Sequence, residues 1–344
     1  MSRWYSYLRS AEDVVYKYDG EVPLAPWIKD YFRLHKQMGS TDRKIISSLV
    51  YQYYRTSRAF SKLSFNDHLY AARFLCVNRQ DAFLAALSPE LQADIECPLA
   101  EKEAKLLSLH QEKISFDYFP FGEALSSGID PALYSTSFLI QPELFLRIRP
   151  GHEETVSSKL SNAGIAYSLI GGGCIAVANQ SQIDTVLALN REVLIQDFNS
   201  QRVGEFFGLP STGEPIKVWD CCAASGGKSI MAYDLDQSID LTVSDIRESI
   251  LVNLQKRFSE AGIAGYKSFK ADLTHPLKLP SAAYDLVIAD LPCSGSGTWS
   301  RTPEQLRYFK ESRIKDYSDL QKEILSRIVG TLRPGARLVY ITCS

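Results

Sequence analysis

No stretch of this 344-residue chain approaches the roughly 18 consecutive apolar residues of a membrane span. Its opening, MSRWYSYLRSAEDVV, lacks the uninterrupted apolar core of a signal peptide, so a cytoplasmic protein is expected. No two cysteines stand in C-x-x-C spacing, which argues against a zinc site, and no metal is expected. The seven cysteines are odd in number and scattered, which argues against a disulfide framework. Nor is there an excess of one charge. The formal net charge of -2 exerts no global pull on nucleic acid and leaves only a local basic face to do so. What is present is 45% apolar and 23% charged, the composition of an ordinary folded protein of two or three domains.

Three textures follow one another along the chain. Residues 1–125 read as a helical domain. In TDRKIISSLVYQYYR, Ile45, Ile46, Leu49, Val50 and Tyr53 repeat at helix spacing behind Ser40 and Thr41 as caps, and NDHLYAARFLCV and DAFLAALSPELQADI read likewise. Residues 126–200 read as a small α/β module. Its short apolar runs are STSFLI, ELFLRIRP, AYSLIGGGCIAVA and REVLIQD, with a helix over Glu153 to Ala163. Its triple glycine, Gly171 to Gly173, suits a ligand loop or a hairpin turn, and the flanking strand-like runs favour the turn.

Over residues 201–344 strands and helices alternate: PIKVWDCC, a helix from Gly227, DLTVSD, a helix from Ser249 to Ala261, YKSFKAD, YDLVIADLPC, a long helix, and ARLVYITCS. That alternation predicts an α/β fold with a Rossmann-like parallel sheet built from right-handed βαβ units. Ligands of such sheets bind at the carboxyl ends of the strands.

The first of these strands runs into CCAASGGKS, where Gly226 and Gly227 permit a tight turn and bring a helix N-terminus to a ligand. A phosphate-binding loop of the G-x-x-x-x-G-K-[ST] type would need glycine at position 222, which is Cys222. The dinucleotide pattern G-x-G-x-x-G is absent. A nucleoside site of the S-adenosylmethionine type needs an acid after the second strand for the ribose, and Asp245 is there; Asp272 and Asp290 close the next two. A single Asp after a strand is commonly a cap or turn residue, but three behind one glycine loop point to a site. Cys293, in ADLPCSGSGT, and Cys343, in VYITCS, end strands of the same half. Cysteines there are commonly inert core residues, yet Pro292 and the pliable SGSG stretch suit a backbone that touches a substrate.

Together, CCAASGGK, DLPCSGSGTWSRTPE, LQKEIL and LRPGARLVYITCS resemble the motifs of the RsmB/Nop/Sun family of RNA 5-methylcytosine methyltransferases over residues 196–344. LFLRIRP and LIQDFNSQ are similar to the family's small catalytic-core module, and the helical front resembles the NusB-type domain of its bacterial rRNA members. The resemblance implies an S-adenosylmethionine-dependent RNA methyltransferase forming 5-methylcytosine, with rRNA favoured over tRNA and a monomer favoured. Carried over by position, its cofactor residues are Cys222, Ala223, Ala224, Ser225, Gly226, Gly227, Lys228, Asp245, Asp272 and Asp290. Its catalytic residues are Cys343 as nucleophile, Cys293 for release, and Asp290 assisted by Lys228 at N3 of the base.

Two departures are visible. Ser225 stands where the family has proline, a change expected to loosen the loop. The family also continues past its TCS motif, so further C-terminal strands are expected beyond Ser344. Chemistry accounts for two cysteines: carbon 5 of cytosine is a poor nucleophile until a thiolate adds to carbon 6, and the adduct must later be released. The rival readings are a non-catalytic RNA-binding or assembly protein and a same-fold methyltransferase with another substrate. Amine methylation uses [ND]-P-P-[FYW] where this chain has DLPC.

Overall fold

The computed structural model describes residues 3–209, 215–276 and 283–344. Among them no helix is long and apolar enough to cross a membrane. The chain divides into two compact units, residues 1–142 with 297–311, and residues 143–296 with 312–344.

The first unit is helical: α1 (Arg3–Lys17), α2 (Leu24–Leu34), α3 (Ser40–Arg55), α4 (Phe65–Cys76), α5 (Ala82–Leu87), α6 (Pro89–Gln92), α7 (Leu99–His110) and α8 (Pro131–Ser137). Tyr7, Leu8, Ala11, Val14 and Val15 of α1 are buried at helical spacing and join one core with α2, α3 and α4. The expected cap of α3 is corrected by one residue. Gly39 is the N-cap, Ser40 already lies inside the helix, and Asp42 reaches back to accept the Gly39 N–H at 2.8 Å. STSFLI is not a strand: Asp130 accepts the N–H groups of Ala132 and Leu133, and Pro131 occupies the first turn, so the segment starts helical as α8.

The second unit holds two sheets. The smaller contains β1 (Leu144–Ile148), β2 (Tyr167–Gly171), β3 (Cys174–Val177) and β4 (Val193–Ile195), antiparallel in the order β2-β3-β1-β4, with α9 (Glu153–Asn162) against it. The triple glycine is the β2–β3 hairpin turn, with Gly171, Gly172 and Gly173 all at positive φ. A short α10 (Phe198–Arg202) leads to the larger sheet.

That sheet comprises β5 (Lys217–Asp220), β6 (Asp240–Asp245), β7 (Lys267–Lys270), β8 (Tyr284–Asp290) and β9 (Leu332–Ile341), all parallel, in the order β7-β6-β5-β8-β9. The connecting helices are α11 (Gly227–Leu235), α12 (Glu248–Glu260) and α14 (Ser312–Ile328); α13 (Gln305–Tyr308), which precedes α14 in sequence, belongs to the first unit. The near-continuous burial of β6 and β8 is what a parallel sheet covered on both faces demands. Strand order reverses between β5 and β8, and this switch point opens a crevice at the carboxyl ends of the strands.

Candidate active site

β5 delivers the chain to the crevice. Its last residues are tied down by Trp219, fully buried, whose Nε1 donates to Ser244 Oγ at 3.1 Å; that hydroxyl donates onward to the Cys221 carbonyl at 2.8 Å. The loop from Cys222 to Lys228 then folds over the sheet. Ala223 N–H donates to the Ser244 carbonyl at 2.8 Å and Ala224 N–H to Asp245 Oδ2 at 3.0 Å. Gly226 turns at φ +83°, and a Cβ there would lie 2.6 Å from the Phe258 ring, so both conformation and space require glycine. The turn places Gly227 at the start of α11, and the N–H groups of a helix's first turn suit an anionic or polar ligand. Where proline would stiffen the loop, Ser225 accepts two bonds from Arg257, at 2.8 Å through its carbonyl and 2.5 Å through its hydroxyl. The expected loosening is offset by that anchor.

Asp245 closes β6 almost fully buried. Burial opposes its charge, but hydrogen bonds from the Arg247 guanidinium, from the Arg247 N–H and from Ala224 outweigh it and hold the carboxyl below its ordinary range. Asp272, two residues past β7, accepts from Thr274 N and Oγ1 at 2.9 and 2.6 Å and pairs with His275 Nδ1 at 2.9 Å. It therefore organises its own turn beside the rim.

Lys228 Nζ spans the switch point and meets Asp290 Oδ2 at 2.5 Å. Past the ends of β8 and β9 the two cysteine sulfurs lie 3.3 Å apart, and the Cys343 N–H also points at Cys293 Sγ, 3.3 Å away. Donation from the Cys343 thiol, with further bonds from Ser344 and the Gly295 N–H, outweighs burial and draws Cys293 down to about 5. Cys343 is driven the other way by holding the shared proton, by burial, and by the charges of Cys293 and Asp290. The pair titrates as a unit holding one proton at neutral pH.

One residue of the rim escaped the sequence reading. Asp220, the last residue of β5, is 1% exposed; Ser229 Oγ donates to its Oδ2 at 2.6 Å, and Oδ1 has no partner among the described residues. Burial pushes its carboxyl up to about 7, against the pull of Ser229 and Lys228. Its position after an apolar strand was the available signal, the same one that singled out Asp245 and Asp290.

A parallel sheet in this order, with a glycine-turned loop over β5 and an acid closing β6, is the Rossmann-like fold of S-adenosylmethionine-dependent methyltransferases. Residues 210–344 match the family described as 16S rRNA methyltransferase RsmB/F. Ribosomal RNA small subunit methyltransferase B of Xylella fastidiosa (strain 9a5c) is 30% identical over 282 residues, covering 80% of this chain and 63% of that protein. The match to the RsmB/F methyltransferase family thus covers the C-terminal part of the chain, and the chain spans 63% of the length of this curated relative. Among solved structures, PH0851 superposes with a TM-score of 0.67 at 18% identity over 92% of this chain and 80% of that chain. A methyltransferase homolog protein from Pyrococcus horikoshii gives 0.51 at 20% identity over 63% and 70%.

Proposed function

We propose that this protein transfers a methyl group from S-adenosylmethionine to carbon 5 of a cytosine in RNA, with rRNA as the substrate class. The observation that carries the reading is the pair of sulfurs, 3.3 Å apart, on the rim that holds the glycine loop, Asp245 and the Lys228–Asp290 pair. A cytosine C5 reaction needs two groups, one to add and one to release, and a thiol–thiolate pair provides both.

The residues fit the cofactor. The amides at the start of α11 suit a carboxylate, and Asp245 suits ribose hydroxyls. When bound, S-adenosylmethionine supplies an electrophilic methyl on a sulfonium. The chain's own residues perform the rest. Cys343 passes its proton to the Cys293 thiolate, and the resulting Cys343 thiolate attacks carbon 6. Delivery of a proton to N3 of the base falls to Asp290, and the Lys228 ammonium beside it offsets the negative charge that addition pushes onto the ring. Cys293 gives its proton to solvent, takes the proton from carbon 5, and elimination returns Cys343 as a thiolate.

The name of the Xylella relative supports rRNA as the substrate class. The test is incubation of the chain with labelled S-adenosylmethionine and small-subunit rRNA, followed by nucleoside analysis. Label in 5-methylcytosine is expected. Cofactor binding without transfer to cytosine overturns the cytosine reading, and absence of cofactor binding leaves an RNA-binding or assembly role.

A further inference from the structure

The last hydrogen bond between β8 and β9 runs from Leu291 N–H to the Ile341 carbonyl at 3.1 Å. Both cysteines lie beyond it. Pro292 has no N–H and cannot extend the ladder. The Pro292 carbonyl is instead taken by a side chain from α14: Gln321 Nε2 donates to it at 2.7 Å. The other end of the same amide, Oε1, accepts the Tyr340 hydroxyl at 2.6 Å. Pro292 immediately precedes Cys293, and Tyr340 lies three residues before Cys343.

From this bridge we infer that Gln321 is a positioning residue for the two cysteines, its amide setting the distance between the strand ends that carry them. The inference rests on the reading of the cysteine pair as the reactive centre. A carboxamide is suited to the task because it donates at one end and accepts at the other. Glutamate at this position keeps the acceptor for Tyr340 but loses the donor to Pro292 and sets a negative charge against a carbonyl. Leucine loses both bonds. Phenylalanine at 340 removes one arm only. Burial and the nearby Cys293 charge raise the Tyr340 hydroxyl above its ordinary value, which keeps it protonated and donating.

The sulfur contact has a direct readout that needs no RNA. Cys293 is reactive as a thiolate while Cys343 donates to it, so a looser contact moves its titration upward. Iodoacetamide alkylation of Cys293 in the full chain, followed across pH by peptide mass spectrometry, reports that midpoint. In Gln321→Leu and Gln321→Glu the midpoint is expected to rise by about one pH unit, and in Tyr340→Phe by less. Methyl transfer by the same variants should lose about tenfold in kcat, with the KM for S-adenosylmethionine within about twofold, because the loop over β5 is untouched.

A Gln321→Leu profile that coincides with the wild type overturns the inference. Should that variant fail to fold, Tyr340→Phe carries the same test, since it removes a single half-exposed hydroxyl; an unshifted midpoint there is equally fatal. A shifted midpoint in a chain whose wild type methylates no RNA keeps the positioning role and overturns only the proposed reaction.

Discussion

The sulfur of Cys293 lies 3.3 Å from that of Cys343 and also receives the Cys343 main-chain N–H, so the charge state of one bears directly on the other. Removing one sulfur changes the other. In Cys293→Ala, Cys343 loses both the hydrogen bond to Cys293 and the neighbouring negative charge that raise it, and it falls toward the ordinary thiol range while burial and Asp290 continue to hold it up. Attack then proceeds slowly while release fails. A covalent protein–RNA adduct on a denaturing gel is expected, forming about tenfold faster at pH 7.5 than at pH 6.5 because only the Cys343 thiolate attacks. Cys343→Ser should form no adduct and transfer no methyl. A folded, cofactor-binding Cys293→Ala protein without adduct refutes the division of roles.

Gly226 offers a separate test of the cofactor loop. Alanine there faces a left-handed backbone at φ +83° and a Cβ 2.6 Å from Phe258, with Leu254 at 3.1 Å. The two penalties together amount to roughly 2–4 kcal/mol. Because Phe258 and Leu254 are buried in the core of α12, the loop must give way before they do. Gly226→Ala should lower Tm and weaken S-adenosylmethionine binding by at least about tenfold by calorimetry. Unchanged affinity would place the cofactor elsewhere.

The alternation of β5 to β9 with helices was legible chiefly because β5, β6 and β8 are short, largely buried runs closed by an acid. Asp245, Asp290, Lys228 and both cysteines reach one rim, as carboxyl-end placement requires. Distances were not legible. Nothing in the spacing of Pro292, Gln321 and Tyr340 announces that one amide joins them, since the register between α14 and the strand ends is set by packing. Asp220 closes β5 as Asp245 closes β6, but what sets it apart, an Oδ1 left without a partner among the described residues, is a property of burial that the sequence does not carry. STSFLI misled because its apolar content outweighed the Asp130–Pro131 helix start just ahead of it.

Asp220 carries a pH prediction. Its folded value is raised to about 7 from 3.8, so the native state keeps a proton that the unfolded chain has lost between these limits. This contribution is fully present below about pH 4 and is lost as pH rises through about 7, on the order of 4 kcal/mol across the window. Asp220→Asn keeps the size and removes the titration. Denaturant unfolding of the two proteins between pH 5 and pH 8 should give curves that diverge, with the wild type losing stability relative to the variant as pH rises. Parallel curves would mean that Asp220 is ionised throughout.

Glu304 tests a feature of the helical unit. Residues 297–311, which directly follow the Cys293 loop in sequence, belong to that unit, and Glu304 within them is 1% exposed. Its Oε1 accepts the Leu24 N–H at 3.2 Å, at the first turn of α2, where Pro23 offers no side-chain cap. Tyr308, one turn on, lays its ring against Gly20 and donates to the Tyr18 carbonyl at 2.8 Å. Arg58 holds the Leu306 and Phe309 carbonyls. Glu304→Ala removes the cap and opens a buried void, at a cost of about 1–3 kcal/mol. The loss should be local first: amides of 299–309 should exchange with deuterium markedly faster, while those of β5 and β6 keep their protection. Glu304→Gln retains the acceptor and should restore most of the protection. Uniformly faster exchange across both units would show that Glu304 supports the whole fold rather than this segment.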